Sequence, residues 1–216
     1  MSLEVRSTIP DLSEKTKPVT IAVTGNAGSG KTVVCGRFKA LGVPVIFSDA
    51  LAREVVMPGS AVLSRISERF GDELLTPDGS LDRSAMRRLM LQDDQARRDL
   101  EALLHPEIIS LMRARIRQAG KEGARVVMVE VPLLFEGNAA SFFDRVLLVT
   151  ADNARQVTRL VARDRVSDAD AHALLGAQMP DDQKRERSDF IINNNGSIEE
   201  LIKTVDRLYQ MIYQKN

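Results

Sequence analysis

The sequence predicts an α/β fold in which a parallel sheet of five strands is flanked by helices and carries a helical insert. Three observations support this prediction. Short β-branched segments alternate with segments of helical periodicity, which is the pattern of repeated βαβ units. The strand segments are almost continuously apolar, as expected of strands buried on both faces of a parallel sheet. One long central stretch contains helical patterns only.

The elements follow this alternation along the chain. Strands are predicted at residues 19–24, 43–47, 126–131, 145–150 and 190–193. Helices are predicted at residues 31–41, 49–56, 153–163 and 167–179, and a last helix follows residue 197. Gly42 is a natural C-cap of the first helix, and Ser197 with Glu200 forms a capping box before the last one.

The domain organisation follows from these elements. Residues 1–17 mix charged residues with Pro10 and are interpreted as a flexible leader, and residues 18–216 are predicted to form a single domain. Its core comprises residues 18–59, 121–152 and 188–216. Residues of about 60–120 show helical segments with breaks at Gly71, 77–79 and His105-Pro106. They are too long for a plain crossover, so we interpret them as an insert that forms a wall of the substrate site.

The composition excludes several classes of protein. The chain has 216 residues, and its 30 Lys and Arg balance 30 Asp and Glu, which argues against a protein that coats nucleic acid. Cys35 is the only cysteine, so the chain has no intramolecular disulfide and no cysteine-rich zinc site. It also lacks a secretory signal and any run of 18 apolar residues. We therefore expect a cytoplasmic protein without nucleic-acid or membrane partners, and favour a monomer.

One segment fits the phosphate-binding pattern G-x-x-x-x-G-K-[ST] at every position, between a predicted strand and a predicted helix. It consists of Gly25, Asn26, Ala27, Gly28, Ser29, Gly30, Lys31 and Thr32. The glycines let successive N–H groups point at one anion, and the helix N-terminus adds positive potential. Lys31 would reach the β- and γ-phosphates, and the Thr32 hydroxyl would hold Mg²⁺. The segment predicts a P-loop NTPase fold that binds a nucleoside triphosphate with Mg²⁺.

The remaining motifs favour a kinase for a small molecule. The sequence has no N-K-x-D motif for guanine, and Glu130 stands where a Walker B aspartate is common. A kinase needs a base that accepts the proton of the acceptor hydroxyl. Asp49 follows the second predicted strand, at the sheet edge where ligands bind, and is the best candidate for this base. By its position, Asp49 is an equally good candidate for a helix cap.

A cluster of basic residues follows the fourth predicted strand. Arg155, Arg159 and Arg163 share one helix face, where a lid of about residues 153–187 could bring them over the phosphates. Acidic residues nearly balance the basic ones in this region, which favours a solvated surface for most of them. Arg163 and Arg159 are the preferred candidates for phosphate contact.

Taken in order, these motifs resemble the dephospho-CoA kinase family over residues 19–213. The markers are the phosphate loop, residues 48–56, Pro58-Gly59, Phe70-Gly71, residues 78–83, Leu104-His105-Pro106, residues 131–136, Gln156, Arg159, Arg163-Asp164, Gln178 and residues 193–197. The resemblance implies ATP-dependent phosphorylation of the ribose 3′-hydroxyl of dephospho-CoA, with ATP and Mg²⁺ as cofactors. It also implies a helical part that binds the acceptor and a mobile lid.

Specific residues carry this implication. Asp49 matches the family's catalytic aspartate, and the lid arginine falls within 159–163. Asn195 belongs to the nucleotide site. The implied acceptor site comprises Arg53, Arg83, His105, Pro132, Leu133, Leu134 and Glu136.

The sequence departs from the family at a few positions. The loop has Asn26-Ala27 where Gly-Ile is usual, Thr32 replaces a serine, and Phe47 stands where an acid is common. His105 before Pro106 is also compatible with a purely structural helix entry. A kinase for another small metabolite or nucleoside, and a nucleotide-binding switch without catalysis, are the alternative functions.

Overall fold

A computed structural model describes residues 2–12 and 17–214 of the chain. The chain forms two compact units. The first comprises Met1–Ile46 and Ile116–Asn216, and the second is Phe47–Arg115. The first unit holds the sheet and the phosphate loop, whereas the second is helical.

The sheet has the predicted parallel core. Within the described residues its strands are β1 (Ser2–Val5), β2 (Val19–Thr24), β3 (Val45–Phe47), β4 (Val126–Glu130), β5 (Arg145–Thr150) and β6 (Phe190–Asn193). Their order is β1-β6-β5-β2-β4-β3. Strand β2 is parallel to β4 and β5, and β5 is parallel to β6. Strands β2 and β4 are buried along their whole length, as their almost continuous apolar sequence predicts.

The predicted count of five strands is wrong, because β1 adds a sixth strand to the sheet. β1 is antiparallel to β6, with Ser2 opposite Asn193 and Val5 opposite Phe190. These four residues belong to the segment interpreted as a flexible leader, and that interpretation does not hold for them. Their side chains are exposed or half-buried, so the pairing rests on backbone hydrogen bonds that leave no apolar pattern. Residues 1 and 13–16 of the predicted leader lie outside the described residues.

Deleting residues 1–6 is expected to lower the melting temperature. The deletion removes the pairing with β6, the ion pair from Arg185 to Glu4 at 2.8 Å, and the hydrogen bond from Arg6 to the Arg185 carbonyl at 2.6 Å. We expect a loss of about 2 kcal/mol, equivalent to roughly 4–8 °C. Thermal unfolding followed by circular dichroism measures this change in melting temperature.

Glu4→Gln is the control, because it removes only a partly exposed ion pair and should change stability by less than about 1 kcal/mol. An unchanged melting temperature after the deletion would contradict a structural role of β1.

The helices of the described residues are α1 (Lys31–Ala40), α2 (Ser48–Glu54), α3 (Ala61–Phe70), α4 (Arg83–Gln92), α5 (Asp94–Lys121), α6 (Asn153–Asp164), α7 (Asp168–Gly176), α8 (Asp181–Glu186) and α9 (Ile198–Gln214). The predicted capping box before α9 is confirmed. The Ser197 N–H donates to Glu200 Oε2 at 2.8 Å, and the Glu200 N–H donates to Ser197 Oγ at 3.3 Å. None of the helices in the described part of the chain is long and apolar enough to cross a membrane.

The second unit has its own hydrophobic core. This core contains Val56, Val62, Leu63, Ile66, Leu74, Leu81 and Leu100. The unit begins at Phe47, earlier than the predicted insert of about 60–120, and Val56, two residues after α2, is a member of its core. The expected break at His105-Pro106 is absent from the described structure, since α5 continues through Pro106. A proline inside a helix removes one backbone hydrogen bond but can be tolerated in a long helix stabilised by packing.

Candidate active site

The phosphate loop connects β2 to α1, and close backbone contacts determine where its glycines stand. Gly25, Gly28 and Gly30 have φ angles of 144°, 74° and 100°. A Cβ atom at Gly25 would lie 2.0 Å from the Val149 carbonyl oxygen, and one at Gly30 would lie 2.3 Å from Asn194 Nδ2. Only glycine can satisfy both the conformation and the space at these positions.

Lys31 is the first residue of α1, and its side chain is buried. Its Nζ donates hydrogen bonds to the carbonyl oxygens of Gly25, at 2.6 Å, and Asn26, at 3.0 Å. Burial lowers the pKa of Lys31 to about 8, Glu130 opposes this shift, and the positive charge of Lys184 adds to it. The ammonium is therefore held at the loop with a proton that is lost at moderately alkaline pH.

The residues around Lys31 fit the predicted Mg²⁺. Thr32 is exposed at the start of α1, where its hydroxyl is accessible. Glu130 ends β4, is buried, and influences the charge of Lys31. Hydroxyl and carboxylate oxygens are the donors that Mg²⁺ prefers. No group of three or more His, Cys, Asp or Glu in the described residues could hold a metal, so a cation here would take most ligands from phosphate and water.

Arg159 on α6 ties the loop to the segment that follows β6. Its Nη1 donates to the Gly28 carbonyl at 3.1 Å, and its Nη2 donates to the Asn194 carbonyl at 3.0 Å. The Asn194 side chain in turn donates from Nδ2 to the Ser29 carbonyl at 2.8 Å. Asn194 therefore has a role at the loop that the sequence analysis did not assign to it.

Arg163, four residues further along α6, is exposed. Its guanidinium pairs with the neighbouring Asp164 through two contacts of 2.7 Å. The hydrogen bonds that Arg163 donates to the Asp164 carboxylate raise the pKa of Arg163 above its ordinary value. The two predicted lid arginines thus differ: Arg159 is already bound to loop carbonyls, whereas Arg163 holds only a surface ion pair that a stronger anion could replace.

Lys184 on α8 lies beside the phosphate loop, in a region where the charge balance favours a solvated surface for most basic residues. Its side chain is 0% exposed. Its Nζ lies 2.7 Å from Asn26 Oδ1 in the loop and 2.8 Å from Glu136 Oε1. The sequence around it, Asp-Asp-Gln-Lys-Arg-Glu, is polar throughout and contains no pattern that would reveal the burial.

Gln178 contacts the phosphate loop directly, whereas Asn195 contacts Asp152, the residue before α6. Gln178 Oε1 accepts a hydrogen bond from the Ala27 N–H at 2.9 Å. Asn195, predicted to bind nucleotide, accepts from the Asp152 N–H at 2.8 Å and donates to the Asp152 carboxylate at 2.5 Å. A cavity of about 540 Å³ lies beside Asn26 and is lined in part by Gln178 and Asp152.

The predicted acceptor residues that follow β4 occupy different environments. The Pro132 carbonyl accepts a hydrogen bond from the Thr24 hydroxyl at 3.3 Å, and Leu133 is 53% exposed. Leu134 is fully buried in a hydrophobic cluster, so its side chain packs in the core and does not face a ligand. Glu136 Oε1 is bound to Lys184 and to the Met179 N–H. Burial raises the pKa of Glu136, but these hydrogen bonds outweigh burial and leave it lowered.

The second unit carries the predicted base. Phe47 is the N-cap residue of α2, whereas Asp49 lies within the first turn and is exposed. The capping interpretation of Asp49 therefore does not hold, although its charge suits a helix N-terminus. Arg53 lies in the last turn of α2 and is exposed.

The other acceptor residues predicted in the second unit are on α4 and α5. Arg83 is the first residue of α4, and the preceding Asp82 caps this helix by accepting from two backbone N–H groups at 2.9 Å. His105 is exposed on α5, directly before Pro106. The side chains of Arg83 and His105 are thus both exposed at the surface of this unit.

Comparison with known proteins gives the same assignment over most of the chain. A sequence profile of the dephospho-CoA kinase family matches residues 19–200. The dephospho-CoA kinase of Syntrophotalea carbinolica is 40% identical over 180 residues, 83% of this chain and 85% of that protein. The dephospho-CoA kinase of Geobacter metallireducens is 39% identical over 196 residues, 91% and 98% of the two chains. The solved dephospho-CoA kinase of Campylobacter jejuni superposes with a TM-score of 0.70 at 25% identity, covering 91% of this chain and 98% of its own.

Proposed function

The chain belongs to the dephospho-CoA kinase family, and we propose that it performs the family's reaction with the phosphate loop, Asp49 and an arginine of α6. The reaction is ATP-dependent phosphorylation of the ribose 3′-hydroxyl of dephospho-CoA, which yields coenzyme A and ADP. The chain is therefore a phosphotransferase that uses ATP. The single observation that carries the assignment is the family match over residues 19–200, which includes the complete phosphate loop.

The loop binds the triphosphate of ATP. Its backbone N–H groups and the N-terminus of α1 attract the phosphate oxygens, and the Lys31 ammonium stands ready to exchange loop carbonyls for phosphate oxygens. When bound with ATP, Mg²⁺ supplies neutralisation of the charge that develops on the transferring group. The Thr32 hydroxyl would hold this ion, and the buried Glu130 would add negative charge near it.

Asp49 acts on the acceptor hydroxyl. Its carboxylate orients the ribose 3′-hydroxyl and takes its proton as the new phosphate bond forms. Two observations support this role: Asp49 matches the catalytic aspartate of the family, and its side chain is exposed in the first turn of α2. The replacement of the usual nearby acid by Phe47 leaves Asp49 as the carboxylate at this position.

Arg163 acts as the lid arginine. Helices α6 to α8, within the predicted lid of about residues 153–187, would carry it over the γ-phosphate and exclude water. Its exposure and its replaceable pairing with Asp164 support this choice over Arg159. Arg159 and Asn194 instead keep the loop in position, and Asn195 would complete the nucleotide site.

The residues proposed to contact dephospho-CoA are the exposed Arg53, Arg83, His105 and Leu133 and the half-buried Pro132. The guanidinium groups suit the phosphates of the acceptor. Leu134 is buried and Glu136 is half-buried, so they would shape the acceptor site through core packing and the ion pair with Lys184. A monomeric state and a cytoplasmic location are further parts of the proposal, supported by the balanced charge and the single free, buried Cys35.

An assay with purified protein tests this function. ATP, Mg²⁺ and dephospho-CoA are mixed, ADP release is followed, and the mass of the product is measured. ADP is expected only with the acceptor, which should gain one phosphoryl group. Coenzyme A, whose 3′-position already carries a phosphate, is the matched control and should release no ADP. Phosphorylation of a different metabolite, with dephospho-CoA unchanged, would instead favour the alternative kinase.

Removing the metal ion is expected to abolish the reaction. An excess of EDTA should lower the rate by more than about 10²-fold, because a divalent cation supplies several kcal/mol of charge stabilisation in phosphoryl transfer. Adding Mg²⁺ back should restore the activity. A rate that is unaffected by chelation would contradict the proposed role of Mg²⁺.

A further inference from the structure

Two adjacent contacts reach the phosphate loop from Gln178, which follows α7, and from Lys184 on α8. Gln178 Oε1 accepts from the Ala27 N–H at 2.9 Å, and Lys184 Nζ donates to Asn26 Oδ1 at 2.7 Å. These are the second and third residues of the loop. The loop is thus held from outside at its N-terminal half, whereas Arg159 holds its middle.

Lys184 carries its charge into a fully buried position. A buried ammonium is stable only when it is paired and hydrogen-bonded. Glu136 supplies the opposite charge at 2.8 Å, and Glu136 is itself fixed by the Met179 N–H at 3.0 Å. This ion pair would neutralise Lys184 without any help from the loop. The additional hydrogen bond to Asn26 therefore restrains the loop as well as the ammonium.

We propose that Lys184 is a positioning residue that holds the phosphate loop, through Asn26, in the conformation that binds ATP. The group formed by Lys184, Glu136 and Asn26 is called the loop brace below. This inference rests on the proposed function, since it assumes that ATP binds at this loop. It deepens that function by assigning a role to a side chain that does not contact the nucleotide.

The brace depends on a side chain that is particular to this loop. Asn26 stands where the resembling family usually has glycine, and glycine would offer the ammonium no side-chain acceptor. The middle of the loop is restrained by the hydrogen bonds that Arg159 and Asn194 donate to the Gly28 and Ser29 carbonyls. Asn26 gives the first half of the loop a comparable restraint. A loop that is already ordered loses less conformational entropy when it binds phosphate, which increases affinity.

A double-mutant cycle on ATP affinity tests the brace. The dissociation constant of ATP with Mg²⁺ is measured by titration calorimetry for the unaltered chain, Asn26→Ala, Lys184→Met and the double variant. Asn26→Ala is expected to weaken binding about 5-fold and Lys184→Met about 10-fold, as for loss of a hydrogen bond to a charged group. The double variant should bind about as weakly as Lys184→Met alone, because both changes remove the same contact.

Arg37→Met is the matched control. Arg37 lies on α1 and forms a two-contact ion pair with Asp206, at 2.6 and 2.9 Å, outside the site. Its loss should lower stability slightly and leave ATP affinity unchanged. In steady-state assays, Asn26→Ala should raise KM for ATP while kcat and KM for dephospho-CoA stay within about twofold, because the brace acts on ground-state and transition-state binding alike.

The possible outcomes distinguish a failure of the proposed function from a failure of the loop brace. Absence of ATP binding by the unaltered chain would overturn the proposed function and the brace together. Normal ATP binding with unchanged affinity in Asn26→Ala, or additive losses in the double variant, would overturn the brace alone. If Lys184→Met fails to fold, Asn26→Ala still decides the test.

Discussion

Replacing Asp49 by asparagine is expected to lower kcat by roughly 10²–10⁴-fold, the range for loss of a general base. Asparagine has nearly the same size and keeps the backbone of α2, but it cannot take a proton from the 3′-hydroxyl. ATP affinity should remain within about twofold, because Asp49 has no role in holding the phosphates. The measurements are single-turnover phosphoryl transfer to dephospho-CoA and a separate titration with ATP.

Glu54→Gln is the matched control for this variant. Glu54 is the last residue of the same helix, and its carboxylate pairs with Arg115 at 2.7 Å. Removing this exposed charge should leave turnover nearly unchanged, since such pairs contribute little. Near-normal turnover in Asp49→Asn would remove Asp49 from the role of base. An equal loss in both variants would point to damage of α2 instead of lost chemistry.

The regular elements of the fold could be predicted because their patterns depend on burial. Strands β2 and β4 are largely apolar and fully buried, and the capping box of Ser197 and Glu200 marks the start of α9. Strand β1 could not be predicted, since it joins the sheet through backbone groups that are the same in every sequence. The continuous helix through Pro106 was also missed, because packing against the helical core outweighs the cost of one lost hydrogen bond.

The candidate site also contains one part that could be predicted from the sequence and one part that could not. The phosphate loop could be predicted residue by residue, because its chemistry requires glycines, a lysine and a hydroxyl in a fixed order. Lys184 could not, because its burial depends on Glu136 and Asn26, which are distant in sequence. A lysine in a polar hexapeptide gives no local sign of such a contact. Tertiary pairing of charges is therefore the part of this site that a single sequence conceals.

Lys31→Met is expected to lower kcat/KM for ATP by roughly 10²–10³-fold, the range for loss of a preorganised donor to a developing charge. Methionine fills a similar volume in the buried position but cannot attract phosphate. For the unaltered chain, kcat/KM for ATP should fall as the pH rises above about 8, the value to which burial lowers the pKa of Lys31. The direction follows because only the protonated ammonium binds phosphate, and kcat/KM reports the free enzyme.

Lys31→Arg is the control that separates charge from shape. A guanidinium stays protonated over the whole range, so this variant should lose the decline above about pH 8 even if its absolute rate is reduced. In the unaltered chain, kcat itself should hold to higher pH, because bound phosphates stabilise the ammonium and raise its pKa. A decline at the same pH in both kcat/KM and kcat, or one that persists in Lys31→Arg, would assign the alkaline limit to another group. Unchanged kcat/KM in Lys31→Met would contradict the phosphate loop itself.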